Sequence, residues 1–418
     1  SFRLERFFLI MNNCWKKNVI LFLGSQTISL FGSHLVQYAI FWHITLITQS
    51  GVMLTISILC GFLPTFFLSP FAGVWADRYH RKLLIILSDS LIAFSTLVLA
   101  ILFLLGYDAL WLLFAMSAVR AFGAGIQTPA VGAMLPQLVP ADKLTQVNAI
   151  NGSIQSFVML VSPMVSAALL TMATIETIFF IDVITAAVAI IILLFLHVPV
   201  HAKALQGSRT GYLGDMRQGF SYIKDHEYAR KFFVFCAFFF VLAAPGAFLT
   251  PLQVARSFGD DVWRLTAIEI AFSIGMILGG AILASWGGFQ NKIHTMTLSC
   301  FVIGASTFAL GVVPVFWIYL LIMGLIGVAL PFFNTPSMVL LQEKVEEDFL
   351  GRVFGVFTMI SSSMMPLGML VFGPISDRIK IEWLLMGTGL LLFMQGFFLV
   401  GSKVLVEAGK PSSIINCE

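Results

Sequence analysis

The sequence predicts an all-α membrane protein with twelve transmembrane helices in two pseudo-symmetric six-helix bundles. Three observations predict this fold class. Of 418 residues, 59% are hydrophobic and only 11% are charged, whereas a soluble domain carries roughly 25% charged residues. The apolar stretches are each long enough to cross a bilayer, which takes about 20 helical residues. A long polar segment divides the chain near its middle.

The predicted spans are the apolar stretches between short runs of turn-forming residues. They cover residues 18–47, 52–76, 83–106, 110–135, 144–172, 177–198, 231–254, 263–286, 294–313, 316–341, 350–376 and 383–406. Gln49-Ser50-Gly51 and Gly287-Gly288 are typical of the breaks between them. An even number of spans places both chain ends on the same side of the membrane.

The distribution of positive charge predicts which side that is. Of the 24 Lys and Arg residues, 19 fall on one side of the predicted topology. Four fall on the other side, namely Arg256, Arg264, Arg378 and Lys380, and Arg120 lies within a span. Loops rich in Lys and Arg stay in the cytoplasm, so both termini are expected to be cytoplasmic.

The chain organisation follows from the longest polar loop. We expect an N-terminal cytoplasmic or interfacial segment (1–16), a first bundle (17–198), a cytoplasmic linker (199–230), a second bundle (231–406) and a C-terminal tail (407–418). Residues 1–10 are open to two interpretations, an interfacial segment or residues foreign to a natural chain that starts at Met11. The segment 135–147 aligns weakly with 341–353, and Thr128-Pro129 is echoed by Thr335-Pro336, which is typical of a repeated half.

A short charged hairpin between the second and third spans is the most informative motif. It is composed of Gly73, Asp77, Arg78, Arg81 and Lys82. Its carboxylate can cap a helix N-terminus or pair with Arg across a helix interface. Alternatively, the hairpin is a solvated anchor that only obeys the positive-inside rule.

These residues are similar to a known family. The hairpin resembles the signature loop of the major facilitator superfamily, although His80 stands where that family usually has Gly. In the fourth span, Arg120, Gly123 and Gly125 resemble the superfamily's second motif, Arg-x-x-Gly-x-Gly. The segments 142–153, 268–276 and 350–354 look like the macrolide-efflux branch, the type 3 drug:proton antiporters.

The resemblance implies a secondary exporter in the bacterial plasma membrane, expected to be a monomer. It would extrude amphipathic, macrolide-like drugs in exchange for protons by rocker-switch alternating access, with the signature loop as a latch on the cytoplasmic face. Two alternatives stay open. The cargo is another small molecule such as a siderophore or metabolite, or the chain is the membrane partner of an ABC-type efflux system.

Ionisable residues within the spans are the candidates for proton coupling. They are Asp182, Glu269 and Arg120, and each is costly in the bilayer unless it faces protein or water. A structural ion pair is the alternative for Asp182, and an interfacial acid is the alternative for Glu269. For Asp89, pairing with a nearby Lys or Arg is the favoured interpretation.

Polar stripes along the spans predict a substrate cavity, because a polar stripe in lipid must face protein or water. The candidates are Gln26, Ser33, Gln37, Gln127, Asn151, Gln155, Met159, Ser273, Met359 and Ser362. Hydrogen bonding between helices is the alternative for these stripes. The clustered Phe238–Phe240, Phe332 and Phe333 suit either an adaptable pocket or contact with lipid.

Several function classes find no support in the sequence. It contains no Gly-x-x-x-x-Gly-Lys-Ser/Thr loop for ATP, no His-Glu-x-x-His and no Gly-x-Ser-x-Gly. The five cysteines are scattered, so neither a disulfide framework nor a metal site is expected. We therefore expect no cofactor, no catalytic residues and no nucleic-acid partner.

Overall fold

The computed structural model of the chain describes residues 2–140, 143–196 and 212–410. Within those ranges, the side chains of residues 2–14, 69–70, 73–74, 77–78, 145, 149, 212–213, 215 and 347–348 lie outside the description. Every regular element in the described ranges is a helix, which satisfies the backbone N–H and C=O groups where no water is available. The all-α prediction is confirmed.

The helices follow the apolar stretches closely. In the described part of the chain they are α1 (Phe2–Thr48), α2 (Gly51–Arg78), α3 (Arg81–Leu104), α4 (Leu110–Leu138), α5 (Leu144–Met172), α6 (Ile175–Phe195), α7 (Tyr212–Asp225), α8 (Glu227–Phe248), α9 (Thr250–Ser257), α10 (Val262–Trp286), α11 (Lys292–Leu310), α12 (Phe316–Lys344), α13 (Glu347–Ser376), α14 (Ile381–Gly401) and α15 (Lys403–Ala408).

Twelve segments of the described chain are long and apolar enough to cross a membrane, as predicted. The seventh differs in detail from the expected unbroken stretch 231–254, because it consists of α8 and α9 in succession. Pro251 lies in the first turn of α9, where a residue without a backbone N–H is tolerated. The break at Leu249 therefore marks a restart of the helix within the same span.

The turn between α10 and α11 shows how the sequence ends one span and starts the next. Gly287 and Gly288 have φ values of 79° and 76°, in the left-handed region that favours glycine. Asn291 then caps α11, its side chain accepting a hydrogen bond of 2.9 Å from the backbone N–H of Ile293. The break predicted at Gly287-Gly288 is confirmed.

Contacts divide the chain into two units, which are described separately. The first comprises Ser1–Ile44 and Ile56–Tyr212, and the second comprises Thr45–Thr55 and Leu213–Glu418. The corner between α1 and α2 thus belongs to the second unit by its contacts.

In the first unit, α3 packs along both α4 and α6. Gly123 on α4 permits the close approach to α3, because a Cβ atom there would lie only 2.6 Å from Cγ1 of Ile92. One end of the unit is filled by an apolar cluster that includes Phe22, Met134 and Leu193. The polar site described below lies along the same α3–α4 contact.

In the second unit, α10 packs on α12 and α11 packs on α14, with glycines at the contacts. Phenylalanines form much of its core: the rings of Phe239 and Phe333 stack with centroids 4.0 Å apart. Both side chains are buried, whereas Phe238 is exposed. Phe239 and Phe333 therefore serve packing within the unit, which corrects the expectation that they line a pocket or face lipid.

The predicted linker contains an additional helix. Residues 197–211 lie outside the described residues, but α7 occupies Tyr212–Asp225 and buries Tyr222 and Ile223 in the core of the second unit. The sequence did not predict this amphipathic helix, because the segment is polar overall. Its few apolar side chains lie on one face of the helix.

Candidate functional site

The centre of the candidate site is an ion pair buried between α4 and α6 in the first unit. Arg120 Nη1 donates to Asp182 Oδ2 at 2.5 Å, with side chains only 10% and 1% exposed. Thr96 on α3 completes the contact, donating to Asp182 Oδ2 at 3.1 Å while its Oγ1 accepts from Arg120 Nη1 at 2.6 Å. The structure thus brings together two of the three predicted coupling residues, which are 62 positions apart in the sequence.

A second donor of Arg120 reaches the backbone of α1. Arg120 Nη2 donates to the carbonyl oxygen of Ser33 at 3.1 Å. The neighbouring Gly32 allows α1 this close, because a Cβ atom there would lie 3.0 Å from Asp182 Oδ1 and would overlap the Thr185 hydroxyl. Arg120 therefore ties α1, α3, α4 and α6 together at one point.

Asp89 on α3 forms a second polar cluster nearby. Its side chain is 1% exposed, and its Oδ1 accepts hydrogen bonds from Ser29 Oγ at 2.8 Å and Gln127 Nε2 at 2.7 Å. Its other oxygen, Oδ2, is buried and has no hydrogen-bond partner among the described residues. Among the side chains that the structure describes, no cation pairs with Asp89, which corrects the favoured expectation of a local Lys or Arg partner.

The two clusters both join α3 to α4, which run antiparallel. On α3, Asp89 and Thr96 are seven residues apart, and on α4 so are their partners Gln127 and Arg120. Seven residues are two helical turns, or about 10 Å. Gly123 lies between the two clusters on α4, where the lack of a side chain lets the two helices approach closely.

The signature loop is tied to carbonyl groups of the first unit. Arg81 donates to the carbonyls of Ala76 and Ala133, each at 2.9 Å. Lys82 Nζ donates to the carbonyls of Leu194 and Leu196, both at 2.9 Å, and so caps the C-terminal end of α6. Gly73 and the side chains of Asp77 and Arg78 lie outside the described residues, so the latch stays a prediction.

Glu269, the third predicted coupling residue, lies on α10 in the second unit. Its side chain is half-buried, and it makes no hydrogen bond or ion pair with the side chains that the structure describes. Ser273 lies one turn further along the same helix and is also half-buried. The coupling role of Glu269 stays a prediction.

The other cavity candidates divide by exposure. Gln26, Ser33, Gln127, Asn151 and Met359 are half-buried, and Gln37, Gln155, Met159 and Ser362 are exposed. Ser362 Oγ bonds to the carbonyl of Thr358 in its own helix at 2.8 Å, and Gly125 packs against Thr65 on α2. Of the set, only Ser33 and Gln127 contact the polar clusters, and the others stay predictions.

Sequence reasoning missed a polar cluster at the α1–α2 corner, within the second unit. Asp377, just after α13, accepts from Ser50 Oγ at 2.7 Å and from the backbone N–H groups of Gly51 and Val52 at 2.7 and 3.0 Å. It also pairs with Arg256 at 2.8 Å. The carboxylate therefore caps the N-terminus of α2, although 325 residues separate it from Val52.

The charge state of Asp377 follows from these partners. Partial burial alone would favour its neutral form, but the hydrogen bonds from Ser50, Val52, Gly51 and Arg256 outweigh it and lower the pKa of Asp377 below its ordinary value. No local pattern in the sequence indicates this contact, because an acid after a helix normally meets solvent.

Other kinds of site receive little support. No group of three or more His, Cys, Asp or Glu side chains suited to a metal ion occurs among the described residues. A cleft of about 590 Å³ opens in the second unit beside Arg256, Lys380 and Trp383. None of the predicted cavity residues lines it.

Known proteins resemble this chain along most of its length. The family described as Major Facilitator Superfamily matches residues 21–369. Macrolide efflux protein A of Streptococcus pyogenes is 30% identical over 383 residues, which cover 91% of this chain and 95% of that protein. The Staphyloferrin A transporter of Staphylococcus aureus is 24% identical over 393 residues, covering 92% and 97%.

A solved structure shares the fold. The crystal structure of the nucleoside transporter NupG matches with a TM-score of 0.69 at 16% identity, covering 93% of this chain and 98% of that one. At this identity the likeness concerns the fold alone, and it confirms the fold class predicted from the sequence.

Proposed function

The chain belongs to the Major Facilitator Superfamily, so it is a multi-pass membrane transporter and not an enzyme, and we propose that it exports amphipathic, macrolide-like drugs in exchange for protons. It acts in the bacterial plasma membrane. Both termini are cytoplasmic in this proposal, because most of the Lys and Arg residues then face the cytoplasm.

The observation that carries the proposal is the set of ionisable side chains buried inside membrane spans of the first unit. Asp89, Arg120 and Asp182 lie on α3, α4 and α6, within spans. Placing such a group at the centre of a bilayer costs about 2.5–3.5 kcal/mol or more. A fold that only had to be stable would replace them with apolar residues, so their presence supports a role in moving protons or in coupling.

The proposed cargo is based on a relative whose name states what it exports and on the exposed residues within the spans of this chain. The S. pyogenes relative is a macrolide efflux protein. In this chain, Gln37, Gln155 and Ser362 are exposed polar residues within spans, and Met159 is an exposed, adaptable apolar one. Polar groups at membrane depth need water or protein beside them, so each of these residues suits contact with water or with a large amphipathic molecule.

Alternating access is the proposed mechanism. In this mechanism the binding site is open to one side of the membrane and then to the other, but never to both at once. A gradient of one pH unit supplies about 1.4 kcal/mol per proton, which supports about tenfold accumulation of drug for each proton exchanged.

A siderophore is the second candidate cargo. The observation favouring it is the similarity to the Staphyloferrin A transporter over nearly the whole of both chains. The macrolide proposal is preferred because the identity to the macrolide efflux protein is higher, 30% against 24%.

Transport by the full-length chain in inside-out membrane vesicles tests the proposal. With an acidic interior, we expect the vesicles to accumulate radiolabelled erythromycin, and a protonophore should abolish the accumulation. The matched control is Asp260→Asn, since Asp260 is exposed and forms no hydrogen bond with the described residues.

Two results would contradict the proposal in different ways. Accumulation that persists without a proton gradient would rule out proton exchange. Proton-driven uptake of staphyloferrin A in place of erythromycin would assign the siderophore as cargo.

A further inference from the structure

Asp89 and Asp182 are both buried acids in the described part of the first unit, but only Asp182 pairs there with a cation. We propose that Asp89, which lies on α3 beside the Arg120–Asp182 ion pair, is the proton-exchange site of the transporter and holds its proton on Oδ2. This inference rests on the proposed proton-coupled transport and names the residue that carries the proton.

The partners of the two acids are the first argument. Asp182 faces a guanidinium at 2.5 Å, so ionisation leaves it paired. Asp89 receives two neutral donors, the Ser29 hydroxyl and the Gln127 amide, and no described cation pairs with it. A buried carboxylate without a countercharge is far more costly than a buried ion pair, so Asp89 is the acid that gains most from binding a proton.

The two oxygens of Asp89 are the second argument. Oδ1 accepts both hydrogen bonds, as the carbonyl oxygen of a protonated carboxyl group does. Among the described residues, Oδ2 of Asp89 has no hydrogen-bond partner, and the same is true of Oδ1 of Asp182. Asp182 has the Arg120 guanidinium beside it, whereas an ionised Asp89 would have neither a cation nor a hydrogen bond to Oδ2. A proton on Oδ2 removes that charge and leaves both observed hydrogen bonds in place.

The surrounding charges are the third argument. Among the described side chains of α1, α4 and α6, the buried charged ones are Asp182 on α6 and Arg120 on α4. His34 and His43 on α1 and Glu176 on α6 are half-buried, and Lys16 and Lys17 on α1 are exposed. Arg120 donates hydrogen bonds to Asp182 and to the Ser33 carbonyl. The positive charge of Arg120 is therefore already balanced by Asp182, and no described cation remains to balance a negative charge on Asp89.

The position of Asp89 explains how a proton would be coupled to movement. Its hydrogen-bond partners come from two other helices, Ser29 from α1 and Gln127 from α4. When water reaches the site, the Oδ2–H bond breaks, the proton passes to water, and the electron pair stays on the carboxylate. The new charge at this three-helix junction favours a hydrated arrangement, and reprotonation from the opposite side restores the dry one.

Full-length variants in the inside-out vesicles test the assignment. Asp89→Asn resembles the protonated acid in shape but cannot release a proton. We expect it to lose the roughly tenfold accumulation of erythromycin driven by one pH unit, while it still exchanges labelled for unlabelled erythromycin down the drug gradient. Asp89→Glu restores a releasable proton and should regain part of the proton-driven accumulation.

The outcomes separate this inference from the function on which it rests. Wild-type vesicles that show no proton-driven accumulation overturn the proposed function and this assignment with it. Proton-driven wild type together with equally proton-driven Asp89→Asn overturns the assignment alone.

A spectroscopic measurement on the purified chain guards against a variant that merely misfolds. A protonated carboxylic acid in an apolar site gives its own C=O stretching band in the infrared spectrum. We expect that band in the wild type at neutral pH, its persistence in Asp260→Asn and its loss in Asp89→Asn. A band that Asp89→Asn leaves unaltered would show that the proton resides elsewhere.

Discussion

At the scale of single residues, the Arg120–Asp182 pair determines how the first unit responds to substitution. Both side chains are almost fully buried, and Arg120 reaches three other helices through Thr96, Asp182 and Ser33. Removing one member of a buried ion pair leaves the other as an uncompensated charge, which costs about 3–5 kcal/mol. Replacing both members by apolar residues of similar size avoids that cost.

We therefore expect Asp182→Asn to lower the free energy of unfolding by about 3–5 kcal/mol. Thermal unfolding of the purified protein in detergent, followed by tryptophan fluorescence, measures the change. The double variant Arg120→Met with Asp182→Leu is the control and should recover most of the stability without recovering transport. If Asp182→Asn unfolds at the wild-type temperature, the pair does not stabilise the unit.

The residue scale is also where sequence reasoning reached its limit. Arg120 and Asp182 could be singled out because a charge within an apolar stretch is conspicuous. Their pairing could not, since it depends on how α4 and α6 are set against each other in space. Asp89 was misjudged for the same reason: the nearest charges in the sequence are basic, but its partners come from α1 and α4.

At the scale of elements, the α1–α2 corner depends on a carboxylate from the end of α13. Asp377 accepts hydrogen bonds from the first two backbone N–H groups of α2 and from Ser50. These N–H groups have no partner within their own helix. A negative charge at this end of a helix also interacts favourably with its dipole.

We expect Asp377→Asn to lower the free energy of unfolding at neutral pH by about 1 kcal/mol. The pKa of Asp377 is lowered in the folded chain, so its contribution is fully present above the ordinary value of about 3.9 and is lost as pH falls through the folded value. The difference between wild type and variant should therefore shrink on acidification.

Unfolding temperatures of both proteins between neutral pH and pH of about 3 measure this effect. Asp260→Asn is again the matched control, because Asp260 is an exposed acid of the same unit, and it should not alter the profile. A wild-type advantage that grows as the pH falls would contradict the assigned sign.

The elements themselves were largely predictable, because span length and apolar composition are local properties. The exceptions have physical causes. The seventh span is interrupted at Leu249, two residues before a proline. The helix α7 was not predicted because its segment is polar overall, although Tyr222 and Ile223 are buried in the core. The capping of α2 by Asp377 was unpredictable, since no local pattern records a contact across more than 300 residues.

At the scale of the whole molecule, the proposed orientation makes opposite predictions for two matched turns. Tyr79 lies between α2 and α3 and is 63% exposed, and Tyr107 lies between α3 and α4 and is 65% exposed. In the proposed orientation, the first turn faces the cytoplasm and the second faces the outside of the cell. The two positions differ little in exposure, so only sidedness should distinguish their reactivity.

We expect a membrane-impermeant maleimide to label Tyr107→Cys in intact cells, in a background where the native cysteines are replaced by serine. Tyr79→Cys should be labelled only after the cells are permeabilised. The reverse pattern would invert the topology and move the termini outside, and labelling of both positions in intact cells would contradict the span between them.

The register of α3 against α4 constrains how this transporter can move. The contacts Asp89–Gln127 and Thr96–Arg120 are seven residues apart on both helices, and Gly123 packs against Ile92 between them. Sliding one helix along the other would therefore break both contacts at once. We therefore expect α3 and α4 to move together as one rigid body during transport. Any relative movement within the first unit would then occur at the contacts of this pair with α1 and α6.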